Sequence, residues 1–395
     1  MMAVTDDKLA YTMRPERIAL IGIGGAGGNV LDLLAAGDVS GPSMIAINTD
    51  CQALEKCRVP ARVQIGARLT RGLGAAGDSA VGRMAAEEDA AILAGLCADK
   101  DLVIIIAGLG GGTGSGAAVA MVRIAHENNC IAICVLTLPF DYEGEAIRTR
   151  AMTTLDELRD VADAVLLVPN QRLFASASPG AALDAVFAQA NAQIAAGVSG
   201  VWHMLVTHGF INITLADIRV AAQKSGGILV FNNATARGPD RATQVARQLL
   251  ESPLLDGGRL VREADILLLS IVGGEGTAYA EVESVVASIR HAIKPQAQVR
   301  IGPALTAQAS DRLSVTLIVP EQWNRTGADG AAAAEAVAET ILKPPAAAGA
   351  AKPTQAQLTL DAVSQGRFKD VEPTLYKGEN LDIPTYRRRG LVLDK

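Results

Sequence analysis

Twice in the first third of the chain a short, almost wholly apolar run leads straight into a glycine cluster and then into a helical pattern. Arg17–Ile23 feeds GIGGAGGNV (Gly22–Val30), and Leu102–Ala107 feeds AGLGGGTGSGAA (Ala107–Ala118). Glycine in such numbers is entropically costly, so a strand–glycine–helix unit that recurs must need close backbone approach at the turn. Strands joined through helices run parallel, which limits the chain to an α/β fold with a sheet covered on both faces.

The remaining pattern agrees. Met44–Asn48, Ile131–Leu136 and Ala162–Val168 are further strand-sized runs of Ile, Val, Leu and Ala, as expected for strands buried on both faces. Asp78–Ala94 and Ala117–Glu127 alternate as helices, and Ala181–Val206 reads as one long helix with apolar residues at Leu183, Val186, Phe187, Ala190, Ile194, Val198 and Val201. A second unit follows, with strands at Gly227–Phe231, Ile266–Val272, Val299–Ile301 and Leu313–Val319 and helices at Arg241–Glu251 and Glu281–Ile293. After Pro320 the composition turns to Ala, Pro, Gly and polar residues, including KPPAAAGAAKPTQAQ, which predicts a flexible linker. Apolar and basic character returns in ENLDIPTYRRRGLVLDK.

A net charge of −6 argues against a nucleic-acid binder. No apolar run approaches the ~18 residues of a membrane span, and MMAVTDDKLAYTMRPER lacks the features of a signal peptide, so a cytoplasmic protein without membrane insertion is expected. The five cysteines (51, 57, 97, 130 and 134) show no metal-ligand spacing, and His203, His208, Cys130 and Cys134 read as structural.

The glycine loops carry the chemistry. At the start of a helix, Gly24, Gly25, Ala26 and Gly27 would aim unpaired N–H groups at a phosphate. Gly22-x-Gly24-x-x-Gly27 with Asp50 downstream also satisfies a dinucleotide fingerprint, so an NAD-dependent dehydrogenase stands as an alternative. The second loop adds Gly108, Gly110, Gly111, Gly112, Gly114 and Gly116, with Thr113 and Ser115 as further donors. A dinucleotide fold needs no second phosphate loop. No lysine follows these glycines, so a cation such as Mg²⁺ is expected to help neutralise the phosphates.

GGGTGSG resembles the signature of the tubulin/FtsZ superfamily, and the other motifs occur in that family's order. They are NTDCQAL (Asn48–Leu54), RGLGAAGD (Arg71–Asp78), LPFDYEGE (Leu138–Glu145), LVPNQRL (Leu167–Leu173), GFINITLAD (Gly209–Asp217), SPLL (Ser252–Leu255) and LDIPTYRRR (Leu381–Arg389). The likeness spans about residues 15–320 and the tail. It implies a flexible N-terminus (1–15), a Rossmann-like GTP-binding domain (16–180) and a central helix (181–206). A smaller α/β domain (207–320), a linker (321–378) and a partner-binding tail (379–395) follow.

The same resemblance implies GTP or GDP with Mg²⁺, held by the two loops together with Asn29, Asp50, Glu143, Arg148, Asn170 and, on the long helix, Phe187 and Asn191. Ala75, Ala76 and Gly77 would line the γ-phosphate. Phe187 would stack on the base and Asn191, where the family often has Asp, would read its edge. The catalytic residues implied are Asn212, Thr214 and Asp217, brought over the nucleotide by the next subunit of a head-to-tail filament. Two positions depart from the family: Thr214 replaces an acid, and Ile147 stands where Arg is common. Threonine can orient water but cannot take its proton, so hydrolysis is expected to be slow. A filament-forming paralogue with negligible hydrolysis is the second alternative. The implied role is a division-site ring of cytokinesis, with Leu381–Arg389 binding membrane-tethering and regulatory division proteins.

Overall fold

The computed structural model describes residues 13–175, 180, 182–224, 226–306, 309, 311–322, 375–376 and 379–380. Contacts divide the chain into residues 1–327 and 328–395. In the second unit the described part is an antiparallel ladder of Leu375–Tyr376 with Glu379–Asn380. The N-terminal segment, most of the linker and the Leu381–Arg389 peptide lie outside the described residues.

In the first unit β1 (Ile18–Ile23) enters α1 (Gly24–Ala36), and β2 (Ser43–Asn48) enters α2 (Cys51–Lys56). A short edge strand, β3 (Ala61–Gln64), precedes α3 (Ala67–Thr70), α4 (Ser79–Glu88) and α5 (Ala90–Leu96). Then β4 (Leu102–Gly108), α6 (Gly112–Glu127), β5 (Ile131–Leu138), α7 (Glu145–Val161) and β6 (Ala164–Pro169) alternate, followed by α8 (Asn170–Phe174) and α9 (Leu183–Val206). The chain continues through α10 (Leu215–Lys224), β7 (Ile228–Arg237), α11 (Arg241–Leu250), α12 (Arg259–Glu263), β8 (Ile266–Gly273), α13 (Tyr279–Ala292), β9 (Gln298–Leu305) and β10 (Arg312–Pro320).

One sheet runs through all of it, in the order β3-β2-β1-β4-β5-β6-β7-β10-β8-β9. The first six strands are parallel in the Rossmann order, and β10 runs antiparallel between β7 and β8. Alternation explains why β1, β4 and β6 carry no polar side chains. Ile18 and Leu20 point to the layer of α1 and α9, with Val30, Leu31, Val198 and Val201. Ala19, Ile21 and Ile23 point to the layer of α4, α6 and α7, with Ala85, Val119 and Leu155. A third cluster joins β7, β8 and β10 to α11 and α13.

Helix boundaries differ from the expected ones where polar or glycine residues intervene. The helix expected over Asp78–Ala94 is broken at Asp89, whose carboxylate accepts the Gly66 N–H at 2.7 Å. The helix expected from Ala117 starts at Gly112, so the later half of the second glycine cluster, Gly112, Gly114 and Gly116, lies in the helix rather than in a loop before it. Glu321, on the linker side of the composition change, is buried and paired with Arg172.

A cavity of about 310 Å³ lies between α9, the β7–β10 strands and the end of α1. Asp38 closes one side of it, accepting from Arg312 Nη2 at 2.6 Å and from Ser199 Oγ at 3.2 Å. His203 Nε2 sits 3.6 Å from Asp38 Oδ2 and has no hydrogen-bond partner. Burial pushes the His203 pKa below its ordinary 6.5, with Asp38 only partly opposing. Burial works against the charge on Asp38, but the Arg312 hydrogen bond, with His203 and Arg312 charges, holds its carboxyl below 3.8. Both groups therefore take up protons more readily in the unfolded chain, and stability rises with pH. The His203 contribution is complete above pH 6.5 and is lost as pH falls through the lower folded value; that of Asp38 is lost below 3.8. Melting temperature is expected to drop between pH 7.5 and 5.5, and His203→Gln to flatten that slope; identical slopes in the two proteins would refute the assignment.

Candidate functional site

The parallel strands end together, and nearly every residue singled out near the glycine clusters follows a strand C-terminus. Gly24–Gly27 follow β1, Asp50 follows β2, the second cluster follows β4, Glu143 follows β5 and Asn170 follows β6. This is the edge at which open parallel sheets place ligands. The two glycine turns touch one another. A Cβ on Gly24 would lie 3.3 Å from the Gly114 nitrogen, and one on Gly108 would lie 2.9 Å from the Ala26 Cβ. A Cβ on Gly112 would meet Ala75 and both the N and O of Asp78 at 2.8–2.9 Å, so the Ala75–Asp78 turn rests directly on the start of α6.

Neither α1 nor α6 has a side-chain cap, which leaves the first-turn N–H groups of both helices open toward this edge. Gly25, Ala26, Asn29 and Gly111 are exposed there, and nothing lies within 4 Å of a Cβ built on Gly25 or Gly111. Two uncapped helix starts beside open space fit a polyphosphate, whose charge the amides and helix dipoles stabilise. The polar side chains hold the cradle. Thr113 and Thr49 hydroxyls are 2.7 Å apart, and the buried Ser115 Oγ accepts from the Gly110 N–H at 2.9 Å. Gly116 remains buried against α4, where its missing Cβ lets the Ser79 carbonyl and Arg83 nitrogen approach. Ala76, φ 47°, sits in the left-handed region, beside Gly77 at φ 78°, so this turn is held in a strained form by its neighbours.

Three predicted residues have local partners of their own. Asp50 caps α2, accepting from Gln52 and Ala53 N–H at 2.9 and 3.1 Å. Glu143 accepts from the Phe140 N–H at 2.7 Å. Arg148 pairs with Asp141 at 3.1 Å. Arg150, a turn beyond Ile147 on the same face of α7, instead reaches the second glycine turn, donating to the Gly110 carbonyl at 3.4 Å. Among the described residues no group of three or more His, Cys, Asp or Glu is placed to hold a metal. A Mg²⁺ would therefore depend on ligand phosphates, the usual arrangement for this cation.

Phe187 is 37% exposed, not a core residue, and forms edge contacts with Phe140 and Phe174 at 5.4 and 5.5 Å between ring centroids. Tyr142 stacks on Phe140 at 5.1 Å. Four of the chain's few aromatics thus gather beside the start of α9, with half-buried Asn191 one turn further on. Thr49, Phe140, Tyr142, Phe174 and Arg150 were not among the predicted site residues. The i, i+3 spacing of Ile147 and Arg150 was the available signal for the last.

The predicted catalytic residues lie elsewhere. Asn212 Oδ1 accepts from the Gly209 N–H at 2.8 Å. Thr214 precedes α10 and donates both its N–H and its hydroxyl to Asp217 Oδ2, each at 2.9 Å, so the Asp217 carboxylate reaches back to cap the start of that helix. Arg300 approaches Asp217 Oδ1 at 3.8 Å. This group follows the C-terminus of α9, whereas the aromatic cluster sits at its N-terminus. The 24 residues of α9 span about 36 Å, so one chain cannot bring Asp217 to its own glycine turns. Phe210 and Ile211, on the same loop as Asn212, are exposed, as are Leu73 and Tyr142 at the glycine end.

Comparisons with known proteins bear on what this edge binds. A family model described as the Tubulin/FtsZ family, GTPase domain, matches residues 17–178, and one for the FtsZ family, C-terminal domain, matches 227–321. The cell division protein FtsZ of Buchnera aphidicola is 34% identical over 301 residues, 76% of this chain and 78% of that protein. The FtsZ of Aquifex aeolicus is 32% identical over 318 residues, 80% and 86% of the two chains. An empty FtsZ dimer from M. jannaschii superposes with a TM-score of 0.70 at 30% identity, covering 79% of this chain and 90% of that one. A GTPγS-bound protofilament of CetZ2 from Haloferax volcanii gives 0.65 at 25% identity, covering 82% and 99%.

Proposed function

The chain belongs to the tubulin/FtsZ family, and from that premise we propose that it is a cell-division GTPase that assembles head to tail into filaments. The observation that carries the reading is the separation of two half-sites by the length of α9: uncapped glycine turns at one end, an acid-bearing loop at the other. A contact that joins unlike ends propagates as a filament wherever its rotation does not close a ring. The dinucleotide alternative has no use for the second glycine turn, and the family match does not favour it.

In this reading the phosphates of GTP lie on the first turns of α1 and α6, with Ala75, Ala76 and Gly77 against the γ-phosphate. The guanine stacks at Phe187 and is read by Asn191. Mg²⁺, when bound, neutralises phosphate charge. Water attacks the γ-phosphorus, GDP leaves with the broken bond's electrons, and the neighbouring subunit's Asp217 orients the water and takes up its proton. Thr214 holds one oxygen of that carboxylate, which supports slow but real turnover. Loss of the γ-phosphate relaxes the Ala75–Gly77 turn and weakens the contact above it, linking hydrolysis to disassembly. The protein acts in a cytoplasmic division ring, with the Leu381–Arg389 peptide as the handle for membrane-tethering and regulatory partners. Among the described residues no helix is long and apolar enough to cross a membrane.

Light scattering and phosphate release, followed on one sample with GTP, GDP or GTPγS, test this. Scattering is expected with GTP and GTPγS, decaying only with GTP as phosphate accumulates. A protein that stays monomeric with every nucleotide refutes filament formation, and assembly without phosphate release refutes the GTPase assignment.

A further inference from the structure

Arg150 lies where two turns proposed to face the phosphates meet. Its Nε donates to the Gly110 carbonyl at 3.4 Å, and its Nη2 comes within 4.0 Å of the position a Cβ on Gly77 would take. Every other arginine of α7 has an acidic partner: Arg148 has Asp141, and Arg159 has Asp156 and Asp160. Arg150 is half-buried, yet among the described residues no carboxylate pairs with it. The single long hydrogen bond to Gly110 engages one of its five N–H donors. Partly desolvated guanidinium groups are normally paired, so the remaining donors call for an anion that arrives from outside the chain.

The geometry of α7 sets which anion. Side chains on a helix lean toward its N-terminus, and α7 starts at the strand edge that carries the glycine turns. Ile147, three residues earlier on the same face, has its Cγ2 against Gly110. Its apolar side chain brings no charge to that turn, and Arg150 reaches past it from one turn further back. We propose that Arg150 is the protein's cation for the terminal phosphate of GTP. Resting on the GTPase reading above, this makes it a residue that tells GTP from GDP. Contact with Gly110 and approach to Gly77 place the guanidinium between the α6 turn and the Ala75–Gly77 turn, so a γ-phosphate there draws the two together.

The test is direct binding of fluorescent GTP and GDP at protein concentrations below assembly. It compares wild type, Arg150→Ala, Arg150→Lys and the double variant Ile147→Arg/Arg150→Ala, with thermal melts as a folding check. A charge-assisted contact predicts a loss of about tenfold to a hundredfold in GTP affinity for Arg150→Ala, with GDP changed less than about threefold. Arg150→Lys retains part of the preference, and the double variant regains it, because a guanidinium at 147 starts closer to the same turn. Equal losses for both nucleotides would mean that Arg150 only braces Gly110, and would overturn the proposal while leaving the GTPase reading intact. So would unchanged GTP affinity in Arg150→Ala. A wild-type protein that binds neither nucleotide overturns both.

Discussion

Asp217→Asn is expected to lower phosphate release by ~10²–10⁴-fold while leaving GTP-dependent scattering in place. Asparagine keeps an oxygen that can accept from the Thr214 N–H and hydroxyl, so the cap on α10 survives. What disappears is the negative charge, and with it the only side chain of the Asn212–Asp217 loop able to take a proton from water. The isosteric change matters, because Asp217→Ala would also remove both hydrogen bonds from Thr214 and confuse catalysis with loop order. The bland reading, in which Asp217 is a capping residue and nothing more, predicts that both assembly and turnover persist in Asp217→Asn. Phosphate release and scattering from the same cuvette distinguish the two. Hydrolysis at the unmodified rate would remove Asp217 from the mechanism and leave the filament without an activating group.

The core and the sheet were legible because burial on both faces forces an unbroken apolar run, as in Leu102–Gly108, and no loop resembles that. The parallel sense of the first six strands follows from the helix-linked connections, whereas their order in the sheet is seen only in the fold. Less legible was how the two units would join. Val165–Leu167 of β6 pairs with Ile228–Val230 of β7, making one sheet of what reads as two separate sets of strands. Edge strand β3, with exposed Ala61 and Arg62, has no apolar run to announce it. At the site, glycine clusters mark where backbone must approach a ligand, but they do not say which side chains arrive from other elements. Arg150 and Arg148 are two residues apart and chemically identical; only the helical phase sends one to Gly110 and the other to Asp141. Thr214 reads as a missing acid in the sequence, whereas in the fold it is the donor that occupies its neighbour's carboxylate.

Gly111→Ala is expected to leave the melting temperature almost unchanged and to weaken GTP binding by about a hundredfold or more. Gly111 precedes α6 with φ −79° and ψ 167°, a conformation open to alanine. A Cβ there meets nothing within 4 Å. Reduced freedom of the unfolded chain adds about 0.4–1 kcal/mol of stability, and the poorer cap costs a similar amount. The protein alone therefore gives no reason for glycine at this position. A phosphate does, because a methyl group in that space keeps it from the first amides of α6. Losing two hydrogen bonds to a charged ligand, at about 1.5–3 kcal/mol each, amounts to a hundredfold or more. Gly112→Ala cannot make the same distinction, since its Cβ already collides with Ala75 and Asp78. Calorimetric titration with GTP and a melt of the same Gly111→Ala preparation decide the matter. Wild-type affinity in a stably folded variant would mean that the phosphates lie somewhere other than the open space over Gly111, and the cradle formed by α1 and α6 would lose its assigned ligand.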